Sequence, residues 1–239
     1  LLVIIYTSFL ETRGPVFGSA FSLMSYQTVF LTVGRAVTNS LTFSALALVL
    51  IAMAGALIGY LLARRDTAVT RALDALIMIP YVIPGTVLGI GFITAFNAPP
   101  LHLTGTVAII VLAYFIRRLP YMVRAVSSIV YQVDRSVEEA SVNLGAPPLR
   151  TFQKIMLPLM APGLVAGATL AFVEVINELS ATVVLYTAST VTLPIATYSQ
   201  VIGGAYGTAA AVASLLVLIT AFALLLFNLL GGREDRMSL

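Results

Sequence analysis

The 239-residue chain contains no cysteine and one histidine, His102. Without cysteine there is neither a disulfide framework nor a thiolate metal site, and the redox compartment is left undetermined. With one histidine there is no paired-His spacing and no Ser-His constellation, so no catalytic site and no metal site is expected. His102 itself reads as a solvated turn residue. Charge is scarce too: 10% of residues are Asp, Glu, Lys or Arg, against roughly 25% in a soluble domain. That excludes a secreted scaffold, a disordered tail and an isolated nucleic-acid reader. What is abundant is apolar, 59% of residues with a mean hydropathy of +1.02, and the chain is expected to sit in a lipid bilayer with no nucleic-acid partner.

Residues 41–63 carry no charge and as a helix reach about 34 Å, enough to cross a hydrocarbon core of ~30 Å. A second span is expected over 75–96, kinked by Pro80 and Pro84. A third starts near Thr104 and stays uncharged to Ile116, with Arg117 and Arg118 snorkelling toward the next interface. A fourth covers 155–179, and a fifth covers 208–230. The polar stretch 180–207 between the last two reads as a packed, non-spanning segment. Residues 1–10 are apolar but too short to span and look like the end of a truncated helix, while 21–37 reads as an amphipathic helix lying on the outer surface.

Alternating the sides places Arg64, Arg65, Arg71, Arg117, Arg118, Arg124, Arg135, Arg150, Lys154, Arg233 and Arg236 on one face. Arg13 and Arg35 fall on the other. By the positive-inside bias the first face is cytoplasmic.

The longest polar segment, 134–158 (DRSVEEASVNLGAPPLRTFQKIMLP), lies on that face. Ser136 and Glu139 have the spacing of a capping box. A short helix over 137–144 should end at Gly145 in the left-handed conformation, with Pro147 and Pro148 opening a second helix. Ordinary connections take two to eight residues, so an ordered helix-turn-helix of this length suggests a docking surface.

At this point the residues become specific. Glu139, Ala140, Gly145, Ile155, Leu157 and Pro158 match at every interval the EAA loop of permease subunits of bacterial ABC importers, with Ser141 in place of the second Ala. Six identities at fixed spacing arise by chance on the order of once in 10⁴ to 10⁵ sequences. The Arg64-Arg65 end of the first span, the Pro-Gly-rich second span and the LPYMVR stretch at 119–124 resemble the same family. The resemblance implies an all-α membrane protein with the MetI-like fold of type I ABC importers, with five full transmembrane helices plus a truncated N-terminal one. It implies one domain over 1–239, with 134–158 as its cytoplasmic coupling loop. Glu138, Glu139, Ala140, Ser141, Gly145, Ile155, Leu157 and Pro158 would then face an ATPase.

By the same resemblance the partners are a cytoplasmic ATPase dimer, a second permease domain, an extracytoplasmic substrate-binding protein and the lipid of a bacterial inner membrane. ATP and Mg²⁺ would bind the ATPase, leaving this chain without a cofactor or catalysis of its own. The segment 177–201 is similar to the C-terminal part of ferric-iron importer permeases, which implies ferric iron as cargo. Phosphonate, polyamine, thiosulfate and molybdate permeases carry similar sequences and stay open. Glu174, Asn177 and Glu178 fall within one turn near the expected outer end of the fourth span. They read either as part of the translocation path or gate, or as groups that are solvated or cap the following segment. The rival from another class is a secondary transporter, coupled through buried ionisable groups.

Overall fold

The computed structural model describes residues 1–231; Arg233 and Arg236 lie outside the described residues. The chain opens with α1 (Leu2–Ser8), β1 (Leu10–Arg13), β2 (Val16–Phe21), α2 (Met24–Thr32) and α3 (Gly34–Arg64). Then come α4 (Ala68–Val82), α5 (Gly85–Phe96), α6 (Val107–Gln132), α7 (Ser136–Asn143) and α8 (Pro148–Thr151). A π-helical turn (Phe152–Met156) joins α8 to α9 (Leu157–Leu159), followed by α10 (Ala161–Ile176), α11 (Thr182–Leu185), α12 (Leu193–Ile202) and α13 (Tyr206–Gly231).

Among the described residues two helices, α3 and α13, are each long and apolar enough to cross a membrane. The pairs α4 with α5 and α8–α9 with α10, each broken at a bend, meet that requirement when taken together. The expected kinked helix over 75–96 is instead two helices. Pro84 has no N–H to continue α4 and holds Ile83 extended at ψ 132°, so the helix stops and restarts. The fold is all-α as expected, with one addition, a short antiparallel β1–β2 hairpin. Its turn is the Gly14-Pro15 pair, with Gly14 at φ +61°.

The chain divides into two compact units. One comprises 1–46, 84–114 and 175–223. In its core Val29 and Val33 pack with Leu193, Ala196, Ala211 and Val212. The surface helix expected over 21–37 therefore buries one edge, and the next helix begins at Gly34, ahead of the expected start. Asn39 donates to the carbonyls of Ser189 and Val191, and Ser40 accepts from the N–H of Leu193, which pins the polar stretch before α12.

The other unit comprises 47–83, 115–174 and, of the described residues, 224–231. Here α6 is the central helix. Ile77 of α4 packs on Leu119 and Val123, flanked by Ala54, Ile58 and Leu62 of α3. Gly55 and Gly59 of α3 and Gly163 and Gly167 of α10 meet α6 so closely that an added Cβ would lie 2.3 to 2.9 Å from its nearest atoms. Such small-residue faces let helices approach without a hydrophobic driving force between them.

Candidate functional site

Helix α7 starts differently from the expected capping box. No side chain of Ser136 caps it; Asp134 Oδ1 instead accepts the Ser136 N–H at 2.8 Å. That bond, with one from the Ser136 hydroxyl, holds the Asp134 carboxyl below its ordinary value of 3.8. A lowered carboxylate pKa favours the folded loop above the ordinary value and loses that contribution as pH falls through the lowered one, so the cap stays charged at neutral pH.

The far end is a Schellman motif. Gly145 sits at φ +83°, its N–H bonds to Val142 O at 2.8 Å, and the Ala146 N–H bonds to Ser141 O at 3.1 Å. Pro148 opens α8 at its first position, after an extended Pro147. Two positions past the π turn's last residue, Pro158 brings no N–H, and Leu157 N–H reaches back five residues to Phe152 O. The segment Pro148–Leu159 meets α10 at 68°.

Ser141, the one departure from the EAA pattern, is 6% exposed and shares a 2.9 Å hydrogen bond with the buried hydroxyl of Thr151, tying α7 to α8. Glu138 also points inward: Tyr60 Oη donates to its Oε2 at 2.6 Å, and Arg64 Nε donates to its Oε1. Glu139, Ala140, Gly145 and Pro158 are exposed, and Ile155 and Leu157 are half-buried. At the tip, Val142, Leu144 and Leu149 are 57, 89 and 66% exposed. These three apolar residues went unnoticed in the sequence, where an isolated Leu in a polar loop looks like any other.

The acidic group expected on one helix face is divided. Helix α10 ends at Ile176, so Asn177 and Glu178 follow it. Glu174 pairs with Arg118 at 3.1 Å. The pair lies within one compact unit, so the Arg118 guanidinium has a carboxylate beside it. Tyr121 and Tyr81 lie beside the pair, ring centroids 5.7 Å apart. Glu178 is 3% exposed, and its Oε1 accepts from Ser180 Oγ and the Ala181 N–H, each at 2.9 Å, which gives the segment before α11 a side-chain cap.

A family model described as "Binding-protein-dependent transport system inner membrane component" matches residues 55–236. The ferric transport system permease protein of Actinobacillus pleuropneumoniae is 32% identical over 227 residues, covering 95% of this chain and 32% of that protein. A putative ferric transport permease of Haemophilus influenzae is 34% identical over 185 residues, 77% of this chain and 28% of that one. A putative 2-aminoethylphosphonate permease of Salmonella paratyphi A is 31% identical over 148 residues, 62% of this chain and 56% of that one. The chain thus spans about a third of the length of the first of these.

Among solved structures, a bacterial ABC transporter that imports alginate superposes with a TM-score of 0.79 at 14% identity, over 97% of this chain and 88% of that one. The MetNI methionine ABC transporter superposes at 0.67 and 20% identity, over 88% and 98%. These two likenesses are of fold.

Proposed function

The chain belongs to the family of binding-protein-dependent transport system inner membrane components, and on that premise we propose that it lines the translocation path of an ATP-driven importer. Hydrolysis takes place on a separate cytoplasmic ATPase that docks on α7 and α8. The observation that carries this reading is the loop tip. Val142, Leu144 and Leu149 stand exposed on a polar segment whose turn is held by a Schellman motif and whose helices are tied by Ser141 and Thr151. Exposed apolar residues on a rigid polar support fit a protein groove better than water or lipid. Glu139 can add charge at the rim, whereas Glu138 is already engaged. The concentration of Arg and Lys on this side supports its facing the cytoplasm.

The test is co-purification with the ATPase. Leu144→Asp is expected to abolish it while membrane level stays normal; retained association would overturn the docking assignment.

For cargo we propose ferric iron, delivered by an extracytoplasmic binding protein and passed between this domain and a second permease domain. The names of the ferric relatives, at 32 and 34% identity, support that choice. The phosphonate relative is the specific observation behind an alternative. Uptake of radioactive iron and of 2-aminoethylphosphonate, each measured with its own binding protein supplied, decides between them.

A further inference from the structure

We infer that Tyr60 and Arg64 are positioning residues that lock the docking helix α7 to the end of α3, so that the two move as one body. This rests on the docking reading above and assigns two residues outside the loop to its operation. Tyr60 and Arg64 stand one turn apart on α3 and grip the two oxygens of one carboxylate, Tyr60 Oη on Glu138 Oε2 at 2.6 Å and Arg64 Nε on Oε1. Arg64 Nη2 also donates to Val133 O at 2.9 Å, and Arg135 Nη2 donates to Arg64 O at 3.4 Å. The end of α6, the linker and α7 therefore all converge on the last turn of α3. The side chains of Arg64 and Glu138 are only 10 and 18% exposed, where water competes weakly for charge-assisted bonds.

The second half of the loop is held differently. The Tyr60 ring stands edge-on to Phe152 with centroids 5.1 Å apart. Beyond it lies an apolar cavity of about 850 Å³ that Leu149, Phe152 and Leu157 help to line. Directional bonds tie α7 to α3, whereas α8 is tied by its Thr151 hydroxyl to α7 and the π turn meets α3 through the apolar Phe152–Tyr60 contact. A push on the loop tip therefore reaches α3 through Glu138 before it can be absorbed by repacking.

The experiment uses the permease assembled with its ATPase and loaded binding protein in proteoliposomes, measuring ATP hydrolysis and uptake together. Glu138→Gln and Tyr60→Phe are expected to leave ATPase association intact and to lower uptake per ATP by about fivefold or more. Tyr60→Phe removes one oxygen and keeps the ring on Phe152, so it decides the matter if Glu138→Gln does not fold or reach the membrane. Because residues 1–239 contain no cysteine, a short bis-maleimide joining Arg64→Cys and Glu138→Cys can replace the lock once any other accessible thiols of the assembly are removed. Uptake per ATP should recover on bridging, a response that stability alone does not produce. Wild-type uptake per ATP in an assembled Tyr60→Phe complex overturns the inference. So does loss of ATPase from Glu138→Gln alone with Tyr60→Phe unaffected, since that makes Glu138 a direct ATPase contact. Failure of the docking reading looks different: Leu144→Asp would then keep its ATPase.

Discussion

Gly145 sits at φ +83° with nothing within 4 Å of where a Cβ would lie, so any substitution there meets a conformational cost and no steric one. For an ordinary L-residue that cost is roughly 1–2 kcal/mol, and Asn tolerates the left-handed region best. Gly145→Asn is therefore expected to retain ATPase co-purification and Gly145→Val to lose most of it, with limited proteolysis of the loop rising in the same order. Ser141 calls for a paired test. Alone, Ser141→Ala leaves the buried Thr151 hydroxyl only its long 3.5 Å bond to the Pro147 carbonyl, at a cost of about 1 kcal/mol, whereas removing both hydroxyls with Ser141→Ala and Thr151→Val is close to neutral. Thermal unfolding of the detergent-solubilised protein should show a lower Tm for the single variant than for the double one.

Among the elements, the contacts of α3 and α10 with α6 are set by what is missing from their surfaces. A Cβ at Gly59 would lie 2.9 Å from Val126 and 3.0 Å from the Val123 carbonyl, and one at Gly163 would lie 2.9 Å from the Ala125 carbonyl. Backbone cannot step aside as a flexible side chain can, so Gly59→Val and Gly163→Val are expected to cut the yield of monodisperse protein sharply. Gly91→Ala, with open space around it, should match or exceed the natural yield, since Ala gains up to about 1 kcal/mol over Gly in a helix. Both contact pairs were readable as small-xxx-small spacing, Gly55 to Gly59 and Gly163 to Gly167, yet spacing alone names no partner helix. Local chemistry was the legible part: the uncharged cores of α3 and α13, the left-handed Gly145 and the Pro148 start all follow from neighbouring residues. The EAA resemblance led to the family to which the chain belongs. What stayed hidden was decided between distant residues. Ser136 and Glu139 have capping-box spacing, but Asp134 takes the N–H first and Glu138 beside them is drawn to Tyr60 and Arg64. Glu174 and Arg118 lie on different helices far apart in sequence, and only the fold pairs them.

At the scale of the whole molecule that pair sets a stability test. Glu174→Gln removes the ion pair that Glu174 makes with Arg118, whose side chain is 11% exposed. Removing both charges with Arg118→Gln and Glu174→Gln should restore much of the lost thermal stability, because breaking a pair costs more than deleting it. The effect is moderated by solvent at Glu174, which is 43% exposed. If Glu174 serves only this pair, the double variant should also import either cargo as well as the single one or better, as measured in vesicles. The same pair has a consequence for biosynthesis. Helix α6 leaves the ribosome carrying Arg117 and Arg118 near its middle, and each Arg at a helix centre opposes entry into lipid by about 2.5–3.5 kcal/mol. The carboxylate that pairs with Arg118 belongs to α10, made only after the whole docking loop. Newly made α6 is therefore expected to stay beside the translocation channel until α10 brings Glu174 to Arg118. Nascent chains cut before Glu174 should leave a reporter fused after α6 with mixed topology, and chains that include α10 should resolve it to one side.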